Sequence, residues 1–171
     1  IRAGLELIDV VKTPIHGTSY IFIISADKKQ YARVNNLIGM ENTAGLYDRK
    51  TYVKYTQNCI EMVDKFKEKV EYWRSQGYKV VGYGAAAKAN TFLNFSKVPF
   101  DMIIDDNPLK QGLYTPGSSV GIVSSDVLKT FTEDDKILFV PLAWNFFKEI
   151  RERIITKRNN FNDVFLNMKD L

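Results

Sequence analysis

The stretch "KVVGYGAAAKANT", residues 79–91, is the clearest indication of the fold of this chain, because an apolar strand pattern there is followed directly by a turn of glycine and alanine. Its first five residues, "KVVGY", favour a β-strand. The residues from about Ala85 to Phe95 favour a helix. A strand, a glycine turn and a helix in this order predict the start of a strand–helix–strand unit with parallel strands.

The same alternation continues to residue 171. Helix patterns, including "DVLKTF" and "FFKEIRERII", separate the predicted strands, which are "KVVGY", "DMIID", "VGIVS", "KILFVPLA" and "DVFL". Strands separated by helices predict a parallel sheet that is covered by helices on both faces. Residues 78–171 are therefore predicted to form a Rossmann-like, doubly wound α/β domain.

The residues before this domain do not show the alternation of strands and helices. "LELIDVVK" and "SYIFIIS" predict a β-hairpin, assigned to residues 1–27, without an evident sheet of its own. Residues 28–77 are predicted to be a helical linker, in which a long helix begins near Asp48 and ends at Gly77. An apolar stripe follows this helix: Tyr52, Tyr55, Cys59, Met62, Phe66, Val70 and Trp73. The stripe either packs on the following domain or forms the seam of a homodimer.

Composition excludes several classes of function. The net charge of +4 comes from 24 basic and 20 acidic residues that are spread along the chain, so nucleic-acid binding is not indicated. The single cysteine, Cys59, excludes a disulfide framework and a cysteine-based zinc site within these residues, and it favours a reducing, cytoplasmic compartment. No run approaches the ~20 apolar residues that a membrane span needs. The sequence begins at Ile1 without a methionine, which predicts a piece of a longer polypeptide.

The glycine turn has the spacing of a phosphate-binding loop. Gly82, Gly84 and Ala87 match G-x-G-x-x-G/A, in which small residues allow a tight turn and the close approach of a pyrophosphate to a helix N-terminus. Lys88 adds a positive charge in the first turn of that helix. Asp105 follows about twenty residues later, where dinucleotide-binding folds place the acid that binds a ribose hydroxyl.

A plainer interpretation of these residues stays open. The small residues would only let the helix pack closely on the sheet. Asp105 and Asp106 would only cap the turn in "DDNP".

Two further loops are predicted at the same edge of the sheet. "DDNPLKQGLYTPG", residues 105–117, offers Lys110 and Gln111 as a second wall of a cleft, or is an exposed turn-rich loop. "PLAWNF", residues 141–146, offers Trp144 to stack on a ring, and Asn145 either to bind a ligand or, more simply, to cap the next helix.

The chain lacks an obvious catalytic set. Its single histidine, His16, lies in the turn "PIHGTS" without a visible serine, cysteine or carboxylate partner, which is typical of a turn residue rather than a base. The sequence shows no cluster of metal ligands.

Four stretches taken together carry a family resemblance: "PIHGTS" (14–19), "GYGAAAKANTFLN" (82–94), "DDNPLKQGLYTPG" (105–117) and "LAWNFFKEI" (142–150). The chain resembles the C-terminal region of the sugar C-methyltransferases. These S-adenosylmethionine-dependent enzymes methylate a carbon of a nucleotide-linked deoxysugar.

The resemblance implies the last part of a larger enzyme. In that family a zinc-binding module and a methyltransferase domain precede the Rossmann-like domain, and the nucleotide sugar lies between the last two. The hairpin would be the end of the methyltransferase sheet, with His16 facing the sugar cleft. The S-adenosylmethionine site, the zinc ligands and the catalytic base would all lie in the missing part, so no catalytic residue is carried over.

What the resemblance implies for this chain is a set of substrate-binding residues. They are Gly82, Tyr83, Gly84, Ala85, Lys88, Asn90, Asp105, Asn107, Lys110, Gln111, Gly112, Trp144, Asn145 and His16. Two hypotheses of other classes stay open: the NAD-binding domain of a dehydrogenase, and a non-catalytic nucleotide-binding module that assembles through the long helix.

Overall fold

A computed structural model describes residues 3–15, 18–26 and 31–171 of the chain. Backbone contacts group the chain into two compact units, residues 1–58 and 59–171. The domain boundaries predicted after residues 27 and 77 stay predictions.

The first unit contains the predicted hairpin and a helix. Strands β1 (Glu6–Thr13) and β2 (Ser19–Ser25) pair antiparallel, which confirms the hairpin, and helix α1 spans Ala32–Thr43. The buried carboxylate of Asp9 accepts hydrogen bonds of 2.9 Å and 2.7 Å from the guanidinium of Arg33. This pairing lowers the pKa of Asp9 and ties β1 to α1.

The hairpin leaves apolar side chains exposed on both of its faces. Successive side chains of a strand point to opposite faces, so Phe22 and Ile24 share one face of β2 and Ile21 and Ile23 share the other. Phe22 is 64% exposed and Ile21 is 53% exposed. Among the described residues, β1 and β2 pair only with each other. Such a two-stranded sheet is marginally stable by itself.

The second unit is built around a parallel sheet. Its elements are β3 (Lys79–Tyr83), α3 (Ala87–Ser96), β4 (Met102–Ile104), β5 (Ile122–Val123), β6 (Ile137–Pro141), α4 (Phe147–Lys157) and β7 (Val164–Phe165). The five strands run parallel in the order β5-β4-β3-β6-β7. The predicted α/β fold is therefore confirmed.

Both faces of this sheet are covered, as predicted. Helix α2 (Arg49–Ser75) supplies Phe66 and Val70, which are buried with Leu93 of α3 against one face. Ile150 and Ile154 of α4 are buried against the other. The C-terminal half of the apolar stripe thus packs within this unit, and the homodimer seam stays a prediction.

One predicted helix is wrong. "DVLKTF" does not form an α-helix but a single 3₁₀ turn, Ser125–Lys129. The hydroxyl oxygen of Ser124 accepts a hydrogen bond from the Asp126 N–H and caps the turn. A segment this short does not repay the cost of nucleating an α-helix.

The loop before β6 contains an acid-sensitive contact. The carboxylate of Asp135 lies 2.7 Å from the ammonium of Lys79 and accepts hydrogen bonds from the N–H and hydroxyl of Thr132. These contacts lower the pKa of Asp135 from its ordinary value of 3.8 to about 2. Because the folded pKa is depressed, this stabilisation is present above pH 3.8 and is lost as the pH falls toward 2.

Asp135→Asn is therefore expected to weaken the dependence of stability on pH in this window. The check is the thermal unfolding midpoint of both proteins, measured at steps between pH 5 and pH 2. The midpoint of the variant should fall less steeply with acid. Parallel curves would show that Asp135 titrates alike in the folded and unfolded chains.

Candidate functional site

The candidate site lies where the strand order reverses. The strand that follows β3 in sequence, β4, lies on one side of β3, and β6 lies on the other. In open α/β sheets, ligands bind outside the carboxyl ends of the strands at this switch point. The loops that leave β3 and β6 meet there, since the N–H of Leu142 donates to the carbonyl of Tyr83 at 2.8 Å.

The packing around the predicted phosphate loop leaves no room for a side chain at either of its glycines. A Cβ at Gly82 would lie 2.8 Å from Leu142 Cδ1 and 3.0 Å from Ile103 Cγ1. Gly84 has a φ of +98°, and a Cβ there would lie 3.0 Å from the Cβ of Ala143. The close contact of the loops after β3 and β6 therefore requires both glycines, whether or not an anion binds. This packing reason differs from the plainer interpretation, which had the small residues let the helix pack on the sheet.

The N-terminus of α3 is open to an anion. Its N-cap is Ala86, no side chain caps it, and its first turn contains no acidic residue. The unpaired N–H groups and the helix dipole make such an end attractive to negative charge. The exposed Lys88 adds a cation there, and its Nζ lies 6.0 Å from the centre of the Trp144 ring. The structure thus brings together the lysine and the tryptophan that the sequence placed on one rim.

Asp105 binds the chain itself. Its Oδ2 accepts hydrogen bonds from the Ala85 N–H at 2.7 Å and from Lys110 Nζ at 3.2 Å, and its Oδ1 accepts one from the Asn107 N–H at 2.9 Å. Lys110 also donates to the carbonyl of Ala85 at 2.9 Å. Both carboxylate oxygens therefore already have donors, which does not fit an acid held free to bind a ribose.

The loop of residues 105–117 is ordered by its own contacts and by α3. Gln111 donates to the Asp105 carbonyl at 3.0 Å, and the N–H of Gly112 donates to the Ile122 carbonyl at 2.9 Å. At the other end, Asn94 of α3 donates to the carbonyl of residue 116 at 2.9 Å. The loop thus stands beside α3 in a fixed position, as a wall of the predicted cleft would.

A comparison with known protein families finds a match that includes the residues of this site. A model of the C-methyltransferase C-terminal domain matches residues 14–162, which include both loops, α3 and the turn at Trp144. The chain belongs to this family. No curated protein matches the chain. The four sequence stretches indicated a C-methyltransferase C-terminal domain, and this match confirms it. The sugar substrate stays a prediction.

One predicted role in the C-methyltransferase domain is wrong, and the substrate-binding roles of Asn90 and His16 stay predictions. The capping role predicted for Asn145 is wrong, because α4 begins after Phe146 and no side chain caps it. A 3₁₀ turn, Trp144–Phe146, intervenes and leaves Asn145 exposed. Asn90 lies in α3, where its carbonyl accepts a hydrogen bond from Asn94 at 2.9 Å. His16 lies outside the described residues, so its predicted place at the cleft stays a prediction.

Sequence reasoning missed a polar cluster on the α4 side of this edge. The buried Tyr83 donates its hydroxyl hydrogen to the carboxylate of Asp106, with distances of 2.9 Å and 3.0 Å to its two oxygens, and Arg153 of α4 donates to the same carboxylate. Burial chiefly raises the pKa of Tyr83. The sequence predicts only a turn-capping role for Asp106, and it contains no signal that points to Arg153.

The described residues offer neither a metal centre nor a membrane-spanning helix. Within residues 3–15, 18–26 and 31–171, no group of three histidine, cysteine, aspartate or glutamate side chains is placed to hold a metal ion. No helix in the described part of the domain has the length and apolar character that crossing a membrane requires.

Proposed function

We propose that this domain binds the substrate of an S-adenosylmethionine-dependent methyltransferase that acts on a carbon of a nucleotide-linked sugar. The methyl-donor site and the catalytic base belong to another part of the same cytoplasmic protein. The observation that carries the proposal is the uncapped N-terminus of α3 at the switch point, with Lys88 and Trp144 beside it.

The chemistry of this edge suits a diphosphate. No side chain caps the N-terminus of α3, and backbone donors at a helix end bind phosphate oxygens well. The side chain of Lys88 makes no hydrogen bond or ion pair with the described residues, and its one ring contact there is with Trp144. A free lysine ammonium binds phosphate as a point charge. Lys110, by contrast, is engaged with Asp105 and fixes the loop.

The described residues at this edge suit substrate binding rather than the removal of a proton from the substrate. Removing a proton beside a keto group needs a base within hydrogen-bond reach of that proton. The acids nearest this edge, Asp105 and Asp106, both have their carboxylates paired with cations. S-adenosylmethionine supplies the methyl group when it is bound, and Asp105, whose two oxygens already have donors, is not free to hold its ribose.

The apolar surface supports contact with the rest of the same protein. Leu109 is 83% exposed and Tyr114 is 71% exposed on the loop beside the site, and Phe146 is exposed after β6. The hairpin exposes apolar side chains on both faces. Groups of exposed apolar residues are typical of surfaces that another domain covers. The open edges of β1 and β2 suit addition to a further sheet.

Calorimetric titration of the chain tests the proposal. Thymidine- and guanosine-diphosphate sugars, NAD and S-adenosylmethionine are added separately. We expect saturable binding of a nucleotide sugar alone. Tight binding of NAD would instead support the dehydrogenase hypothesis, and methyl transfer by this chain in isolation would contradict the division of labour.

Lys88→Ala is expected to weaken binding of the nucleotide sugar about tenfold, since one charge-assisted phosphate contact is lost. The matched control is Lys69→Ala, which removes an exposed lysine from α2. Calorimetry should give the control the affinity of the unchanged chain. Equal affinity for both variants would show that phosphate does not bind at Lys88.

A further inference from the structure

A small apolar cavity adjoins the candidate site within the second unit. Its volume is about 210 Å³, and we call it the Trp144 cavity. Helices α2 and α3, the 3₁₀ turn after β6 and a second 3₁₀ turn, Met168–Asp170, each supply part of its wall. Its lining residues are Met62, Phe92, Trp144, Met168 and Lys169.

The size and lining of the Trp144 cavity restrict what fits it. Pockets for whole drug-sized ligands are roughly 300–1,000 Å³, so this one holds a single ring rather than a complete nucleotide. Four of its five lining residues are apolar or aromatic, and Lys169 is the charged one. Thioether sulfurs and an indole make favourable contacts with aromatic rings. The cavity therefore suits a planar aromatic group better than a sugar or a phosphate.

Trp144 links this cavity to the proposed phosphate site. Its ring lines the cavity, and Lys88 Nζ lies 6.0 Å from the centre of the same ring. A ligand that fills both places must combine an aromatic ring with an anionic group. A nucleoside diphosphate has this combination.

We propose that the Trp144 cavity is the subsite for the base of the nucleotide, with Met62 and Met168 against the ring. This inference rests on the proposed function for the phosphate half of the ligand. Neither methionine is among the residues that the sequence motifs pointed to. Met168 also lies beyond residue 162, where the family match ends, so one wall of the subsite comes from sequence that the match does not cover.

The four methionines of the chain provide the test. Their methyl groups are labelled with ¹³C, and NMR spectra are recorded with thymidine diphosphate, guanosine diphosphate and inorganic diphosphate. At least one nucleoside diphosphate should shift the Met62 and Met168 methyl signals, and inorganic diphosphate should not. Met40, exposed on α1, and Met102, which packs on the opposite face of the sheet, are internal controls. Shifts of the control methyls alone would overturn the proposal.

Filling the cavity provides a second, quantitative test. Met62→Trp is expected to weaken nucleoside diphosphate binding at least about tenfold and to leave inorganic diphosphate binding unchanged, as measured by calorimetry. Met40→Trp, at a methionine that does not line the cavity, should change neither affinity. If the nucleoside and inorganic diphosphates bind equally well and Met62→Trp affects neither, the base subsite is wrong while the phosphate site stands. If neither ligand binds, the proposed function fails and the subsite fails with it.

Discussion

Phe66→Ala is expected to lower the free energy of unfolding by about 4 kcal/mol, because it removes a large ring from the centre of the core. Phe66 is fully buried, with its ring edge-on to Phe92 at 4.9 Å and stacked with Phe100 at 6.3 Å between centroids. Truncation removes the ring from both contacts and leaves a cavity between α2 and the sheet. Urea unfolding followed by circular dichroism measures the change.

Phe161→Ala is the matched control, because the side chain of Phe161 is 99% exposed. It should change the free energy of unfolding by less than about 0.5 kcal/mol. Equal effects of the two substitutions would contradict the packing of α2 against the sheet.

Asp105→Ala is expected to lower the free energy of unfolding by about 2 kcal/mol, because it removes the acceptor of two backbone N–H groups and one of the two acceptors of Lys110. The loss is smaller than that for a fully buried pair, since the Lys110 side chain is 38% exposed. The substitution should also loosen the turn at Ala85 and so weaken ligand binding. Urea unfolding and calorimetry on the same preparation measure both effects.

The exposed Asp134, for which the structure shows no partner among the described residues, provides the control as Asp134→Ala. The double variant Asp105→Ala/Lys110→Ala should lose less stability than the sum of the single variants, because each removes the same contact. Unchanged stability with lost affinity would show instead that Asp105 is a ligand contact, as its spacing predicts.

The sequence predicted the fold because its strands are short, apolar and separated by helix patterns. The hairpin was equally clear, since "SYIFIIS" coincides with β2 from Ser19 to Ser25. The order of the strands was not predicted, because the pattern of a strand does not say which neighbour it pairs with. The helix at "DVLKTF" failed for a local reason, the Ser124 cap on a segment too short for an α-helix.

The candidate site was predicted only in outline. Three loops at the carboxyl edge follow from parallel strands, and Lys88 and Trp144 do meet there. The spacing of Asp105 could not show that its oxygens are occupied, because its partner Lys110 lies in an irregular loop whose path no periodic pattern describes.

Contacts between residues far apart in the chain could not be predicted from the sequence. Arg153 reaches Asp106 across 47 residues of sequence, and the Trp144 cavity needs Met62 and Met168 from opposite ends of the second unit. The sequence around each of these two methionines is the same as expected for a methionine that simply fills a hydrophobic core. It therefore gives no sign that they line a cavity.

Mapping the residues that contact a nucleotide sugar tests whether the substrate binds at the N-terminus of α3. Amide ¹H–¹⁵N spectra are recorded while a thymidine- or guanosine-diphosphate sugar is added. We expect the largest shifts on residues 85–89, at the start of α3, and on residues 144–145. Saturating shifts confined to other parts of the chain, or no shift with either sugar, would contradict it.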